Sequence, residues 1–298
     1  MKKNRKRFFV LSLSIVLSVL VLQFHYRLSE GFRIQKAFFY PSSFEDDSTA
    51  LDALQDFTYC FEKPFKYIGR GGQVYVFESF DKKYVLKIVR FHKANIPLTA
   101  RLFKNIFFCS KHYSEIEQDR LKRFNRAFES YQIAWNHLRK ETGMVYMKLF
   151  RAKQDYPQVV LSVNSLIKHQ LDLKDVAFII QKRTDDFRSS LERMLQNNED
   201  EELKKCISSY VEMAVKRSMQ MILNKDYLLK NFGYVQTTPI EIDLGNFYYD
   251  YALKDPKVFQ KQLHSFLVPL IRFLEKRDFE MAVFAKNEID RQMNRVEK

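Results

Sequence analysis

Three polar residues in the C-terminal part of the chain have the types and spacing to carry metal and proton chemistry. Asp226 is followed five residues later by Asn231, and Asp243 comes directly after the short run Ile240–Ile242, in which the first and last residues are apolar. A side-chain amide and a carboxylate are hard oxygen ligands of the kind that Mg²⁺ takes. We therefore expect Asn231 and Asp243 to bind a metal ion, and Asp226 to accept a proton from a hydroxyl group.

These residues can meet only if the chain between them turns back on itself. Phe232–Val235 and Ile240–Ile242 are short runs rich in apolar residues on either side of a turn at 237–239, which predicts a two-stranded hairpin. The hairpin would place Asn231 just before its first strand and Asp243 just after its second. Asp and Asn also occupy loops because they tolerate turn geometry, so the pattern needs support from elsewhere in the chain.

A glycine-rich turn upstream offers a candidate phosphate-binding element. Gly69, Gly71 and Gly72 are three of the 7 glycines in the chain, and they lie within four residues. Backbone that lacks a Cβ can approach a phosphate closely, and its N–H groups can surround the anion. Val74, on the next predicted strand, could cover an adenine. Lys87, on the third predicted strand, could reach phosphate oxygens.

An amphipathic helix between these two regions offers a partner for the lysine. Its apolar residues recur at spacings of three and four: Leu121, Phe124, Phe128, Tyr131, Trp135 and Leu138. We expect Glu129 on this helix to pair with Lys87, with Glu115 and Glu117 as alternatives. A glutamate on a solvated, charged helix face is the competing interpretation.

The order of these features resembles that of the protein-kinase-like superfamily. Glycine turn, strand lysine, helix glutamate, Asp-x4-Asn and the triplet Asp243-Leu244-Gly245 follow one another as in a kinase, with Asp-Leu-Gly in place of Asp-Phe-Gly. The resemblance covers roughly residues 61–247. It implies an α+β, two-lobed fold that binds ATP and Mg²⁺ and transfers the γ-phosphoryl group to a hydroxyl. Lys87 would hold phosphates, Glu129 would orient Lys87, and Asp226 would be the base.

The sequence departs from the kinase pattern at several positions. Tyr67 stands at the first glycine's place, and Asn224-Lys225 replaces the usual His-Arg before the catalytic Asp. Leu228 occupies a position where kinases often have a phosphate-contacting lysine, for which Lys230 is the nearest substitute. The alternative function is therefore a catalytically inactive, kinase-like binding or scaffolding module at a membrane.

The part of the chain after Gly245 is short. Only 53 residues, 246–298, follow it, and they contain no Ala-Pro-Glu motif. This shortness is similar to the small bacterial lipopolysaccharide and small-molecule kinases. A protein, a lipid-linked sugar and a small molecule all stay open as the phosphoacceptor.

The N-terminus predicts a single membrane anchor. Lys2–Arg7 carries five positive charges, and Phe8–Phe24 is an uncharged run of 17 residues. As a helix this run spans roughly 25 Å, near the lower limit for crossing a bilayer. No small-residue cleavage pattern follows, so we favour a retained anchor over a signal peptide. The positive-inside rule places the N-terminus in the cytoplasm, an orientation that conflicts with an ATP-dependent domain beyond the membrane.

Composition and charge narrow the class of protein further. The 298 residues are 46% apolar and 29% charged, which is typical of a globular chain. A net charge of +14 indicates a phosphate-rich ligand, a membrane surface, nucleic acid or simply a solvated lysine-rich surface. Nucleic acid is the least favoured partner because no recognised binding motif occurs. Three scattered cysteines without a CxxC motif predict neither a zinc site nor a disulfide framework. As the source of the protein, we favour a bacterium.

We predict four regions along the chain. They are a basic tip and transmembrane anchor at 1–28, a juxtamembrane spacer at 29–60, a kinase-like N-lobe at 61–183 and a shortened C-lobe at 184–298. Strands are predicted at Val159–Val163 and Val176–Ile180, and a long helix with an apolar face running from Leu203 to Ile222 is predicted to lead to Asp226.

Overall fold

The computed structural model describes residues 13–14, 16–21, 23–24, 26–38, 54, 57–91, 110–152 and 154–296. Strands and helices are both well represented among these residues, which confirms the α+β class. The chain divides into two compact units. The first unit is Met1–His92 with Lys148–Phe178, and the second is Lys93–Met147 with Ile179–Lys298. The predicted lobes, 61–183 and 184–298, divide the chain differently and stay a prediction.

Within the described residues, the elements have the following bounds. The strands are β1 (Phe65–Arg70), β2 (Val74–Glu78), β3 (Tyr84–Val89), β4 (Met144–Lys148), β5 (Gln158–Ser162), β6 (Lys168–Asp172), β7 (Phe178–Lys182), β8 (Asp185–Asp186), β9 (Ile222–Asn224), β10 (Phe232–Val235), β11 (Thr238–Glu241) and β12 (Phe247–Tyr249). The α-helices are α1 (Ser110–His137), α2 (Arg139–Thr142), α3 (Phe187–Gln196), α4 (Asp200–Met219), α5 (Pro256–Glu275) and α6 (Phe279–Val296).

The first unit is built on an antiparallel meander that a hairpin widens. Its strands lie in the order β3-β2-β1-β5-β6, and β1 runs parallel to β5 while the other neighbours are antiparallel. The predicted strand at Val159–Val163 is confirmed as β5, and the one at Val176–Ile180 begins two residues later, as β7. The sequence analysis missed β4 and β6.

Part of the predicted spacer packs against this sheet. Phe32 is only 2% exposed, and Ala37 is fully buried. The ring of Phe32 lies against three aromatic rings of β1 and β2, those of Tyr67, Tyr75 and Phe77. Aromatic contacts of this kind stabilise beyond the area that they bury. Residues of the predicted juxtamembrane spacer therefore belong to the core of the first unit.

The predicted anchor, Phe8–Phe24, is described only in part, because residues 8–12, 15 and 22 lie outside the described residues. The residues described between 13 and 28 are helical, and large apolar side chains among them, such as Leu17 and Phe24, are exposed. No helix in the described part of the chain is both long and apolar enough to cross a membrane.

The second unit is a helical core with short strands at its edge. α4 packs among α3, α5 and α6, and the ring of Tyr210 stacks on Phe187 and on Phe266 at 5.3 and 5.1 Å. Acidic residues in the first turn of α4 and basic residues in its last turn complement the helix dipole. The predicted helix through 203–222 is confirmed, although it ends at Met219 and 222 already belongs to β9.

A buried lysine at the end of β4 fastens the connection between β6 and β7. The side chain of Lys148 is almost completely buried, and its ammonium donates to three backbone carbonyls, those of Leu173, Lys174 and Val176, at 2.8–2.9 Å. Burial lowers the pKa of Lys148 to about 7, and nearby Asp175 and Asp172 counteract part of this shift. Three donors meet three acceptors, so a polar side chain is accommodated inside the first unit.

We expect Lys148→Met to destabilise the protein by about 2 kcal/mol or more, because it leaves buried carbonyls without a donor. Urea unfolding followed by circular dichroism measures the loss. Lys168→Met is the matched control: Lys168 is exposed on β6 of the same unit, and its loss should stay within about 0.5 kcal/mol. Equal effects of the two substitutions would contradict a structural role for Lys148.

Candidate functional site

The hairpin predicted from the sequence brings Asn231 and Asp243 to one end of two paired strands. β10 and β11 are antiparallel with Phe232 opposite Glu241, and the Ile242 N–H donates to the Asn231 carbonyl at 2.8 Å. The second strand begins at Thr238 rather than at Ile240, because the turn is a tight one at 236–237. This correction leaves the consequence intact: Asn231 precedes the hairpin and Asp243 follows it.

Asp226 and Asn231 are tied together by the loop that carries them. The Asn231 side chain is buried, and its Nδ2 donates to the Asp226 carbonyl at 3.3 Å. The Asp226 N–H in turn donates to Oδ1 of Asn224 at 2.9 Å. Since the amide nitrogen of Asn231 is used in this bond, its oxygen is the atom that remains for a cation. A side-chain bond therefore joins Asn231 to the Asp226 backbone, and the hairpin places Asn231 and Asp243 at the same end of its paired strands. That the three residues form one site stays a prediction.

A buried ion pair lies directly behind this loop. Arg217 on α4 and Glu241 on β11 are both 2% exposed, and Nη1 of Arg217 donates to Oε2 of Glu241 at 2.5 Å. The other carboxylate oxygen of Glu241 accepts from Nδ2 of Asn224 at 2.6 Å. Burial raises the pKa of Glu241, and both partners counteract the shift. One carboxylate thus links α4, the hairpin and the start of the Asp226 loop.

The same carboxylate residue is also held through its backbone. Gln181 at the end of β7 is fully buried, and its Nε2 donates to the carbonyls of Thr142 and Glu241 at 2.5 and 3.2 Å. Burial raises the pKa of Tyr210 well above its usual value, and the charge of Glu241 adds to the shift. Sequence reasoning missed this group, although Arg217 follows Ala214 by three residues on the apolar stripe of α4.

Helix α1 holds the backbone around the Asp-Leu-Gly triplet through the side chain of Ser130. The Ser130 hydroxyl donates to the Leu244 carbonyl at 2.5 Å and accepts from the Phe247 N–H at 2.6 Å. Oδ1 of Asp243 accepts from the Gly245 N–H at 3.3 Å, which turns the triplet back on itself. Burial raises the pKa of Tyr131, and the nearby Asp243 carboxylate raises it further. α1 therefore positions the predicted metal ligand.

The glutamate predicted to pair with Lys87 lies on the same helix. Glu129 is exposed on α1, directly before Ser130, and Glu115 is exposed as well. The side chain of Glu117 lies outside the described residues. Glu129 belongs to the second unit and Lys87 to the first, so the pairing of Lys87 with any of these glutamates stays a prediction.

The predicted phosphate-binding residues lie together in the first unit. Val76 of β2 is opposite Lys87 of β3, and Val74 is two residues away on the same strand, so all three share one face of the sheet. A β-bulge between Tyr67 and Gly69 shifts the register and places Gly69 opposite Val76, on this same face. Gly71 and Gly72 form the turn between β1 and β2.

Arg90, which sequence reasoning missed, supports the glycine-rich turn through hydrogen bonds to its backbone carbonyls. It is largely buried, its Nη1 donates to the Gly71 carbonyl at 2.9 Å, and its N–H donates to the Gln73 carbonyl at 2.8 Å. The Gly71 N–H donates to the Val74 carbonyl at 2.9 Å. The signal in the sequence was a charged residue directly after the apolar strand β3.

The donor chemistry of the second-unit site fits a small, hard cation. Asn231 and Asp243 offer an amide oxygen and a carboxylate, which Mg²⁺ takes together with water and phosphate oxygens. Groups of three or more His, Cys, Asp or Glu residues that could form a closed protein cage for a metal do not occur among the described residues. Mg²⁺ sites that rely on substrate phosphates need only one or two carboxylates from the protein.

Comparisons with known proteins give structural likeness only. No protein-family model matches the chain, and neither does any curated protein sequence. The chain is similar to WbdD: a 2.2 Å crystal structure matches with a TM-score of 0.36 and 11% identity over 76% of this chain and 46% of that chain. A second structure, of the bifunctional kinase-methyltransferase WbdD, matches with a TM-score of 0.35 and 11% identity over 73% of this chain and 43% of that chain. The chain spans less than half of the length of the WbdD chains.

We expect Arg217→Met to cost about 3–5 kcal/mol, because it leaves the Glu241 carboxylate buried without its counterion. Lys216→Met on the same helix is the matched control, since Lys216 pairs with Glu212 in an exposed i,i+4 bridge. That control should cost no more than about 1 kcal/mol. Urea unfolding measures both, and similar losses for the two variants would show that the buried pair does not hold the site together.

Proposed function

We propose that the protein is a membrane-anchored, kinase-like phosphotransferase that uses ATP and Mg²⁺. The observation that carries the proposal is the arrangement of Asp226, Asn231 and Asp243. The hairpin brings Asn231 to Asp243, and the bond from Asn231 to the Asp226 carbonyl fixes the loop that carries the base. An amide, a carboxylate and a second, half-buried carboxylate in this arrangement suit transfer of a phosphoryl group to a hydroxyl.

In this proposal, the first unit holds the nucleotide. Gly69, Gly71 and Gly72 supply backbone that can surround phosphates, and Val74 covers the adenine. Lys87 lies on the same face of the sheet as Val74 and contacts phosphate oxygens. Glu129 orients Lys87, as the order of features along the chain implies.

The second unit supplies the chemistry. Asn231 and Asp243 hold Mg²⁺, which when bound neutralises charge on the phosphates. Asp226 accepts the proton of the acceptor hydroxyl as the new O–P bond forms, and the γ-phosphoryl group leaves ADP. Asn224-Lys225 replaces the His-Arg pair that kinases have before this base, and the Asn224 side chain holds the Asp226 N–H and the Glu241 carboxylate. The substitution therefore preserves a buried support for the loop.

We expect Asp243→Asn to abolish Mg²⁺-dependent ATP binding and turnover together, because it removes the only carboxylate among the two proposed metal ligands. Asp226→Asn should leave ATP binding intact and lower turnover by about 10²–10⁴-fold, since it removes only the base. Isothermal titration with Mg-ATP and single-turnover phosphate transfer measure the two effects on full-length protein in detergent.

Asp250→Asn is the matched control, because Asp250 caps the short turn at Tyr251–Lys254 and has no role in the proposed site. A wild-type protein that binds Mg-ATP while Asp226→Asn leaves its phosphorylation signal unchanged would be an inactive, nucleotide-sensing scaffold. Wild-type protein that binds no nucleotide would contradict the kinase proposal altogether.

We also propose that the N-terminal segment anchors the protein in a bilayer. Support comes from the five positive charges before Phe8–Phe24 and from the exposed apolar side chains on the helical residues described there. A phosphoacceptor at the membrane surface, such as a lipid-linked sugar, would then be within reach of the site.

We expect the full-length protein to stay in the membrane fraction after carbonate extraction and to retain its first residues, because a transmembrane helix resists extraction. Membrane fractionation followed by N-terminal sequencing tests both points. Release into the soluble fraction, or a mature N-terminus after residue 24, would contradict a retained anchor.

A further inference from the structure

The segment Tyr26–Ala37, which we call the N-terminal clamp, lies on the back face of the strands that carry the glycine-rich turn. Its Phe32 ring is 4.8 Å from the ring of Tyr75, 5.2 Å from that of Phe77 and 5.8 Å from that of Tyr67, measured between centroids. Tyr67 is opposite Phe77, so these rings face away from Val76 and Lys87. The clamp and the proposed nucleotide residues therefore use opposite faces of one sheet.

Arg70 connects the clamp to the turn itself. The bulge that places Gly69 on the nucleotide face also places Arg70 opposite Tyr75, on the clamp face. There, Nη1 of Arg70 donates to the Gly31 carbonyl at 3.3 Å, and Nη2 donates to the Tyr26 hydroxyl. The guanidinium also lies 5.5 Å from the centre of the Tyr26 ring. One side chain at the edge of the turn thus contacts the clamp at three points.

The clamp is shaped for this contact. Gly31 has φ +74°, a conformation that favours glycine, and a Cβ added there would lie 2.5 Å from Nη1 of Arg70. The clamp is also fixed at a separate point, because Nδ2 of Asn164 donates to the Leu28 carbonyl at 2.6 Å. A glycine in this position allows the backbone to approach the guanidinium closely.

We propose that Arg70 is a positioning residue through which the N-terminal clamp holds the glycine-rich turn ready for phosphate, so that nucleotide affinity depends on the clamp being docked. The nucleotide part rests on the proposed function. Arg90 fixes the Gly71 carbonyl from within the sheet, and Arg70, the residue directly before the turn, is bonded to the clamp on the other face of the sheet. A turn ordered in advance binds phosphate without the entropy cost of ordering it at that moment.

Through the clamp, the proposed membrane helix is linked to the proposed nucleotide-binding turn. The described residues 26–28 are helical, and the clamp begins within them. A change in the position of the helix that pulls the clamp from the sheet would withdraw the Gly31 carbonyl and the Tyr26 hydroxyl from Arg70. The turn would then lose its outer support while the core of the sheet stayed folded.

The test compares full-length wild-type protein with Arg70→Gln and Tyr26→Phe, in detergent. Hydrogen exchange is followed at the Gly71 amide, and Mg-ATP affinity is measured by isothermal titration. Both variants should exchange about 3–10-fold faster at Gly71 and bind Mg-ATP about 3–10-fold more weakly, the range expected for losing one or two hydrogen bonds. Tyr26→Phe changes no residue of the turn, so its effect cannot come from lost contact with nucleotide.

Arg33→Gln is the matched control, because Arg33 is exposed within the clamp and its loss changes the charge equally. It should leave both measurements unchanged. Tyr26→Phe should add nothing in the Arg70→Gln background, since both remove the same bond. Gly31→Ala, which pushes on the guanidinium, should resemble Arg70→Gln.

Unchanged exchange at Gly71 in both variants would overturn the inference whatever the nucleotide does. Faster exchange with unaltered Mg-ATP affinity would overturn the link between clamp and binding. Wild-type protein that fails to bind Mg-ATP would contradict the proposed function and the nucleotide role of Arg70, and the exchange data would still decide whether the clamp orders the turn.

Discussion

The buried pair between Arg217 and Glu241 is the interaction on which the candidate site depends. A charge in a protein interior is tolerated only when it is paired and hydrogen-bonded. Glu241 meets this requirement through Arg217 and Asn224, and each partner belongs to a different element. Glu241 precedes Asp243 by two residues, and Asn224 precedes Asp226 by two. Fixing this one carboxylate therefore fixes the backbone close to both aspartates of the proposed site.

The proposed site residues are positioned differently in the two units. In the second unit, buried side chains position the loop that carries the proposed oxygen ligands. In the first unit, the sheet register positions the proposed nucleotide-binding residues: the bulge before Gly69 assigns Gly69 to the face of Lys87 and Arg70 to the face of Phe32.

The sequence was informative where the signal is local. The hairpin between Asn231 and Asp243 follows from two short runs rich in apolar residues and a turn, and the core-facing stripe of α4 follows from helical spacing. The pairing of the buried charged residues could not be predicted from the sequence. Arg217 and Glu241 are 24 residues apart, and no local pattern joins them. Gly69 within β1 is the only local signal of the bulge, and it does not tell which face of the sheet Arg70 takes.

ATP binding to the full-length wild-type protein, measured by titration with Mg²⁺ and again with EDTA in its place, tests the central claim most directly. The account predicts saturable binding with Mg²⁺ and at least about tenfold weaker binding without it, because Asn231 and Asp243 would then face the phosphates without a cation. Equal affinity under the two conditions, or no binding in either, would contradict the assignment of these residues to a metal–nucleotide site.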